Sequence, residues 1–87
     1  MNDALRDLRG ELDAVDRQLV ALLARRAHLV ARAWAVKDAQ GLPRRDEARE
    51  REIHDALLAQ AQSEGLDPAK VRAVLGRIVG VDLRGDG

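Results

Sequence analysis

Five charged residues carry a spacing that could do chemistry: Arg9, Arg26, Lys37, Asp46 and Glu50. Arg26 and Lys37 are eleven residues apart, which is about three full turns of α-helix. Both side chains then leave one helix on the same side, roughly 16 Å apart along its axis. Long cationic side chains so placed can converge on one small anion. Arg26 also falls in an apolar seam, between Leu22 and Leu29, where a cation is costly unless paired. Two pairings are open to it. One is a carboxylate from another helix; the other is an anionic ligand in the bundle core, where helical bundles often build sites. For Lys37 the competing reading is a solvated lysine at a helix end, which the helix dipole also favours.

Asp46 and Glu50 are four residues apart and share a helix face. That face continues into Ile53 and Leu57, which are core types. Both carboxylates therefore stand where a core-facing side meets a loop. Asp46 also suits a helix N-cap, and Glu50 a salt bridge to an Arg or Lys of the preceding helix. Arg9 lies seventeen residues before Arg26, about 25 Å along a helix. One helix cannot aim both at one small ligand, but an antiparallel partner could bring Arg9 across from a second chain. By itself Arg9 reads as a surface residue.

Other chemistries are poorly supplied. The chain has no Cys, Tyr or Thr and a single Ser, Ser63. His28 and His54 stand apart, without a second ligand at metal spacing. No Gly-rich phosphate loop occurs. A catalyst built from this chain would place charge rather than attack covalently.

The elements that must position these residues read as three helices. From Asp3 to Asp38, Leu5, Leu8, Leu12, Val15, Leu19, Leu22, Leu29, Ala33 and Val36 recur at steps of three and four. Val20, Leu23, Ala27, Val30 and Trp34 form a second stripe beside them. The combined face is too wide for one two-stranded seam. About 34 residues of helix span roughly 50 Å, whereas a compact chain of 87 residues has a diameter near 30 Å. A second copy is the simplest cover for the excess, with a two-fold axis as the usual symmetry. Gly41 and Pro43 mark a loop. A second helix is expected from Asp46 to about Ser63, with Gly65 as its C-terminal cap. Asp67 and Pro68 read as N-cap and first position of a third helix carrying Val71, Val74, Leu75, Ile78 and Val79. A frayed tail is expected over residues 84–87.

Composition bounds the partners. Fifteen basic and fifteen acidic residues cancel, so nothing suggests general attraction to nucleic acid or membrane. Trp34 is the single aromatic residue, which leaves no base-stacking platform. No apolar run is long enough to span a bilayer and no signal peptide pattern occurs. A soluble, cytoplasmic, single-domain protein is expected over residues 1–87.

The order of these residues resembles the all-helical (AroQ-class) chorismate mutases. The resemblance runs from Leu5 to about Leu83. It rests on Leu8-Arg9-x-x-Leu12-Asp13-x-x-Asp16, Leu22-Leu23-Ala24-x-Arg26 and Val36-Lys37. It continues through Gly41-Leu42-Pro43-x-x-Asp46-x-x-Arg49-Glu50 and Gly65-Leu66-Asp67-Pro68. It implies an all-α, intertwined homodimer of three-helix chains with two shared sites. It also implies a cofactor-free and metal-free pericyclic rearrangement of chorismate to prephenate, on the route to phenylalanine and tyrosine. By the same resemblance, Arg26 and the other chain's Arg9 bind the two substrate carboxylates. Lys37 donates to the ether oxygen, Glu50 and Asp46 fix the ring hydroxyl, and Arg49 supports them. The family carries a hydroxyl residue and a glutamine late in the third helix, where this chain has Asp82 and Asp86. A carboxylate there would repel a dianion unless protonated or turned away, so the role of Asp82 as a substrate contact is in question. The short C-terminus is similar to that of weak mutases activated by a heptulosonate-phosphate synthase, which makes that enzyme a candidate partner. Isochorismate pyruvate lyase and aminodeoxychorismate mutase share the fold and are rival readings. The acidic pair Asp46 and Glu50 favours the mutase. A non-catalytic helical dimerisation module would explain the seam but not the charged constellation.

Overall fold

The computed structural model describes residues 2–84. It is all-helical among the described residues: α1 (Asp3–Ala39), α2 (Glu47–Ser63) and α3 (Pro68–Leu75). The Asp86 position, and the expected tail apart from Arg84, lie outside the described residues.

Each helix begins at a polar cap. The Asn2 side chain accepts the Leu5 N–H at 3.1 Å and opens α1. Asp46 accepts the Arg49 N–H at 3.0 Å and opens α2. Asp67 accepts the Ala69 N–H at 2.9 Å, with Pro68 as the first residue of α3. These bonds satisfy N–H groups that have no partner inside the helix. At the other ends, Gly41 and Gly65 take φ of 69° and 79°, a region glycine enters without steric cost. The following N–H groups of Leu42 and Leu66 then reach back to Lys37 O at 2.8 Å and Ala61 O at 2.9 Å, closing both helices in the same way.

The third helix is shorter than its apolar pattern predicts. Regular helix stops at Leu75, and residues 76–80 continue as turns. Arg77 and Ile78 donate to the carbonyls three residues back, and Gly80 has φ 78°. Gly76 and Gly80 flank this stretch, and glycine favours helix interiors least after proline. The apolar residues Ile78 and Val79 therefore pack from a turn rather than from a helix.

α1 has 37 residues and dominates a chain measuring 60 × 27 × 17 Å. α2 and α3 lie against each other, while no backbone of either approaches that of α1 as closely. The second stripe of α1 is turned toward the rest of the chain: Leu23, Ala27, Val30 and Trp34 are half-buried, although Val20 is exposed. The first stripe is not covered. Leu8, Leu12, Val15, Leu19, Leu22, Leu29 and Val36 are all exposed, Leu12 at 61%. Only Ala61 and Val79 are buried among the described residues.

The caps make a direct prediction. Asp67→Ala removes the acceptor at the start of the shortest helix and should lower the unfolding free energy by about 1 kcal/mol. Urea denaturation followed by circular dichroism checks it; an unchanged midpoint would show that the α3 cap carries no stability.

Candidate active site

A cavity of about 160 Å³ lies between the C-terminal half of α1, the start of α2 and the turn after α3. Val30, Ala33, Trp34, Ile53, Val79 and Val81 supply its apolar walls. Arg26, Lys37, Arg44, Arg45 and Arg49 supply five cations, and Asp46 and Glu50 two carboxylates. The helical spacing of Arg26 and Lys37 does bring both to one cavity, and Asp46, Arg49 and Glu50 line it with them.

The five cations are not equivalent. Arg44 is bound to Asp38 at 2.7 Å, Arg45 to Glu50 at 3.2 Å and Arg49 to Glu52 at 3.1 Å. The Asp38 bond raises the Arg44 pKa and lowers that of Asp38, each chiefly through the hydrogen bond between them. Arg26 and Lys37 meet no carboxylate within ion-pair distance among the described residues. Arg26, half-buried, donates to the Ile78 carbonyl at 3.3 Å. Lys37, also half-buried, donates to the Arg44 carbonyl at 2.9 Å. Each donates one proton to a neutral carbonyl, which leaves its charge uncompensated and further protons to donate. For Arg26, the internal ion pair is therefore not the arrangement found.

The two acids also differ. Asp46 spends one oxygen on the α2 cap, as its position before the helix predicts. Glu50 is seated rather than free. Its carboxylate receives the Arg45 fork at 3.4 and 3.2 Å, not an arginine or lysine of α1. On another side it lies against Gly80, where a Cβ would come within 2.9 Å of its Oε1.

Asp82 is not among the residues that line the cavity. Its carboxylate is held by Arg84 at 2.9 and 3.0 Å, and it also accepts the Arg84 backbone N–H. These bonds hold its pKa down to about 2. Arg84 in turn lies 5.4 Å from the Trp34 ring centroid, and Arg44 lies 5.0 Å from it, both within cation–π range. Arg9 sits in the exposed N-terminal part of α1 and is likewise not among the cavity residues.

Sequence reasoning missed Trp34, Arg44, Arg45 and Gly80 as site residues. Arg44 and Arg45 sit in the Gly-Pro loop, where residue type gives no periodic signal. A glycine five residues after Leu75 carries no mark of its contact with Glu50. Only the fold places them together.

Fold and site together define a class: a helical domain with two cations, unpaired by any described carboxylate, in one cavity. The comparisons identify it further. The model of the chorismate mutase type II family matches residues 8–81, and the chain belongs to that enzyme family. It is 36% identical over 77 residues to the T-protein of Haemophilus influenzae, covering 88% of this chain and 20% of the relative. It is 36% identical over 72 residues to the T-protein of Enterobacter agglomerans, covering 83% and 19%. The chain thus spans about a fifth of the length of these curated relatives. No solved structure gives a significant match. No helix among the described residues is long and apolar enough to cross a membrane.

The Asp82 pair gives a pH prediction. With the folded pKa lowered to about 2 from an ordinary 3.8, the carboxylate contributes stability above 3.8 that is lost as pH falls through about 2. Carbon-detected NMR titration should place the Asp82 midpoint near 2. Arg84→Ala should return it toward 3.8. An Asp82 midpoint of ordinary value in the unsubstituted chain would refute the pairing.

Proposed function

We propose that the chain rearranges chorismate to prephenate at this cavity, as a homodimer with two shared sites. The observation that carries the reading is the pair of uncompensated cations, Arg26 and Lys37, in one cavity with Glu50. Chorismate is a dianion with an ether link to its enolpyruvyl arm. Arg26 binds one carboxylate, which its planar fork can engage twice. Arg9 of a second copy binds the other. As the C–O bond breaks and the new C–C bond forms, negative charge grows on the ether oxygen. Lys37 donates to that oxygen with one of its three protons, while another can keep the Arg44 carbonyl. A donor fixed where charge develops favours the transition state over the ground state. Glu50 accepts the single proton of the ring hydroxyl, and Asp46, whose second oxygen is free of the cap, stands as the other carboxylate that fixes this group. Arg49 stands beside them. Holding both carboxylates also keeps the substrate in its compact reactive shape, which lowers the entropic barrier. No proton changes owner in the rearrangement, so the chain's lack of nucleophiles is no obstacle. Asp82, turned to Arg84, has no part in this scheme.

The homodimer rests on the uncovered stripe of α1 and on the size of the cavity. A stripe from Leu8 to Val36 that stays exposed on an isolated chain is a seam in search of a second helix. The cavity, about 160 Å³, is below the roughly 300 Å³ at which small-molecule sites begin. An antiparallel second copy would add a wall and bring Arg9 from the far end of its own α1. A cytoplasmic location belongs to the same reading.

Two measurements test it. Purified protein given chorismate should consume it and form prephenate, and Lys37→Ala should lower turnover by about 10²–10³-fold while the oligomer persists. Pyruvate release from isochorismate instead would make the chain a lyase. An inert chain that turns over only with a heptulosonate-phosphate synthase would make that enzyme an activating partner. The shared site is tested by mixing inactive Arg9→Ala and Arg26→Ala chains under subunit exchange. Recovery of part of the activity is expected; no recovery despite verified exchange would refute sharing.

A further inference from the structure

Glu50 poses a problem of charge. It is an anion in a cavity that must present bare cations to an anionic ligand. A carboxylate beside Arg26 and Lys37 has every electrostatic reason to turn toward them and neutralise them. It does not, and its two neighbours say why. Arg45 engages both of its oxygens, at 3.4 and 3.2 Å. Gly80, at φ 78°, also lies against this carboxylate, and a Cβ there would stand 2.9 Å from Oε1 and push the carboxylate aside. The Glu50 side chain is 21% exposed, that of Arg45 73%. The anion is thus held inward by a cation at the rim. The fork is long for a charge-assisted pair, and an exposed ion pair alone would be weak. The missing Cβ at Gly80 leaves the carboxylate its place, and the fork engages it there.

We propose that Arg45, with Gly80 as the seat, is a positioning residue that sequesters Glu50 and so keeps Arg26 and Lys37 available to an anionic ligand. Arg45 acts through Glu50 and touches no substrate. The bond between them also raises the Arg45 pKa; the guanidinium is charged at every working pH in any case. The inference rests on reading the cavity as a dianion site, but it can be measured without turnover.

The test is a double-mutant cycle on binding of isophthalate, a rigid dicarboxylate with no hydroxyl for Glu50 to contact, by calorimetry on the whole chain. Arg45→Ala should weaken binding about tenfold, the loss expected for one neutralised cation. Glu50→Gln alone should change binding by less than about twofold, because the sequestered anion does not oppose the ligand. Glu50→Gln added to Arg45→Ala should restore most of the lost affinity, and Arg45→Lys should restore part of it. Gly80→Ala should weaken binding in the same direction, and Glu50→Gln should rescue it too. The proposal is overturned if Glu50→Gln strengthens binding equally with and without Arg45, since that is the signature of long-range charge alone. Equal weakening by Arg45→Ala with or without Glu50 would make Arg45 a direct ligand or a structural residue, and also overturns it. Failure of the unsubstituted chain to bind isophthalate at millimolar concentration overturns it as well. Chorismate turnover by that same chain would leave the proposed function standing. A coupled cycle in a chain inert toward chorismate would do the reverse.

Discussion

A helix longer than its chain can cover sets the terms for everything else. α1 accounts for 37 residues, and the remainder of the chain folds beside one part of it. The helix has two apolar stripes, and α2, α3 and the turn that follows have surface enough for one. The consequence is that, among the described residues, only Ala61 and Val79 are buried and no side chain is fully enclosed. That is far too little apolar burial to offset the entropy of ordering some eighty residues. The exposed stripe is the surface on which the proposed second copy would add apolar burial. In the proposed homodimer the same constraint would also solve the distance problem of Arg9, since a second copy would bring that residue near Arg26.

Within the site the controlling quantity is the balance of charge. Five cations and two carboxylates line one small cavity. If pairing followed proximity alone, the carboxylates would quench the nearest cations and leave little for a ligand. The fold prevents this by giving each carboxylate other work. Asp46 caps α2, Glu50 holds Arg45, and Asp38 and Glu52, outside the cavity wall, take Arg44 and Arg49. Two cations remain, and both donate to neutral carbonyls. Carbonyl contacts orient Arg26 and Lys37 without neutralising them, so their attraction for an anion is retained.

How much of this the sequence discloses depends on whether a residue's role is local. Helix starts are local, and Asp46 and Asp67 stand at the two predicted caps. The convergence of Arg26 and Lys37 is also local, because eleven residues of one helix fix their relative direction. The two-stripe reading of α1 survives with one exception: Val20 sits at the edge of its stripe and stays exposed. Roles that need the loop or the chain's return are not local. The capture of Glu50 by Arg45, rather than by a cation of α1, depends on how the Gly41–Pro43 loop turns. The pairing of Asp82 with Arg84 depends on a bend at Arg84, two residues on. The end of α3 departs from its periodic signal for a different reason. Val71, Val74, Leu75, Ile78 and Val79 keep helical spacing, and burial rewards that spacing whether or not the backbone remains helical.

That early end has a structural use. In an uninterrupted helix each carbonyl points along the axis and is engaged by the N–H four residues on. By leaving the helix at Leu75, the chain tightens into turns whose carbonyls are differently presented. The Ile78 carbonyl accepts from Val81 at 3.2 Å and still receives the Arg26 guanidinium at 3.3 Å. The same turn buries Val79 and delivers Gly80 to Glu50. One short segment therefore orients the half-buried cation and seats the anion. The glycines that shorten α3 lower its intrinsic helicity. In return the segment forms the wall on which both charges are arranged, so the weak helix and the organised site are two effects of one local feature.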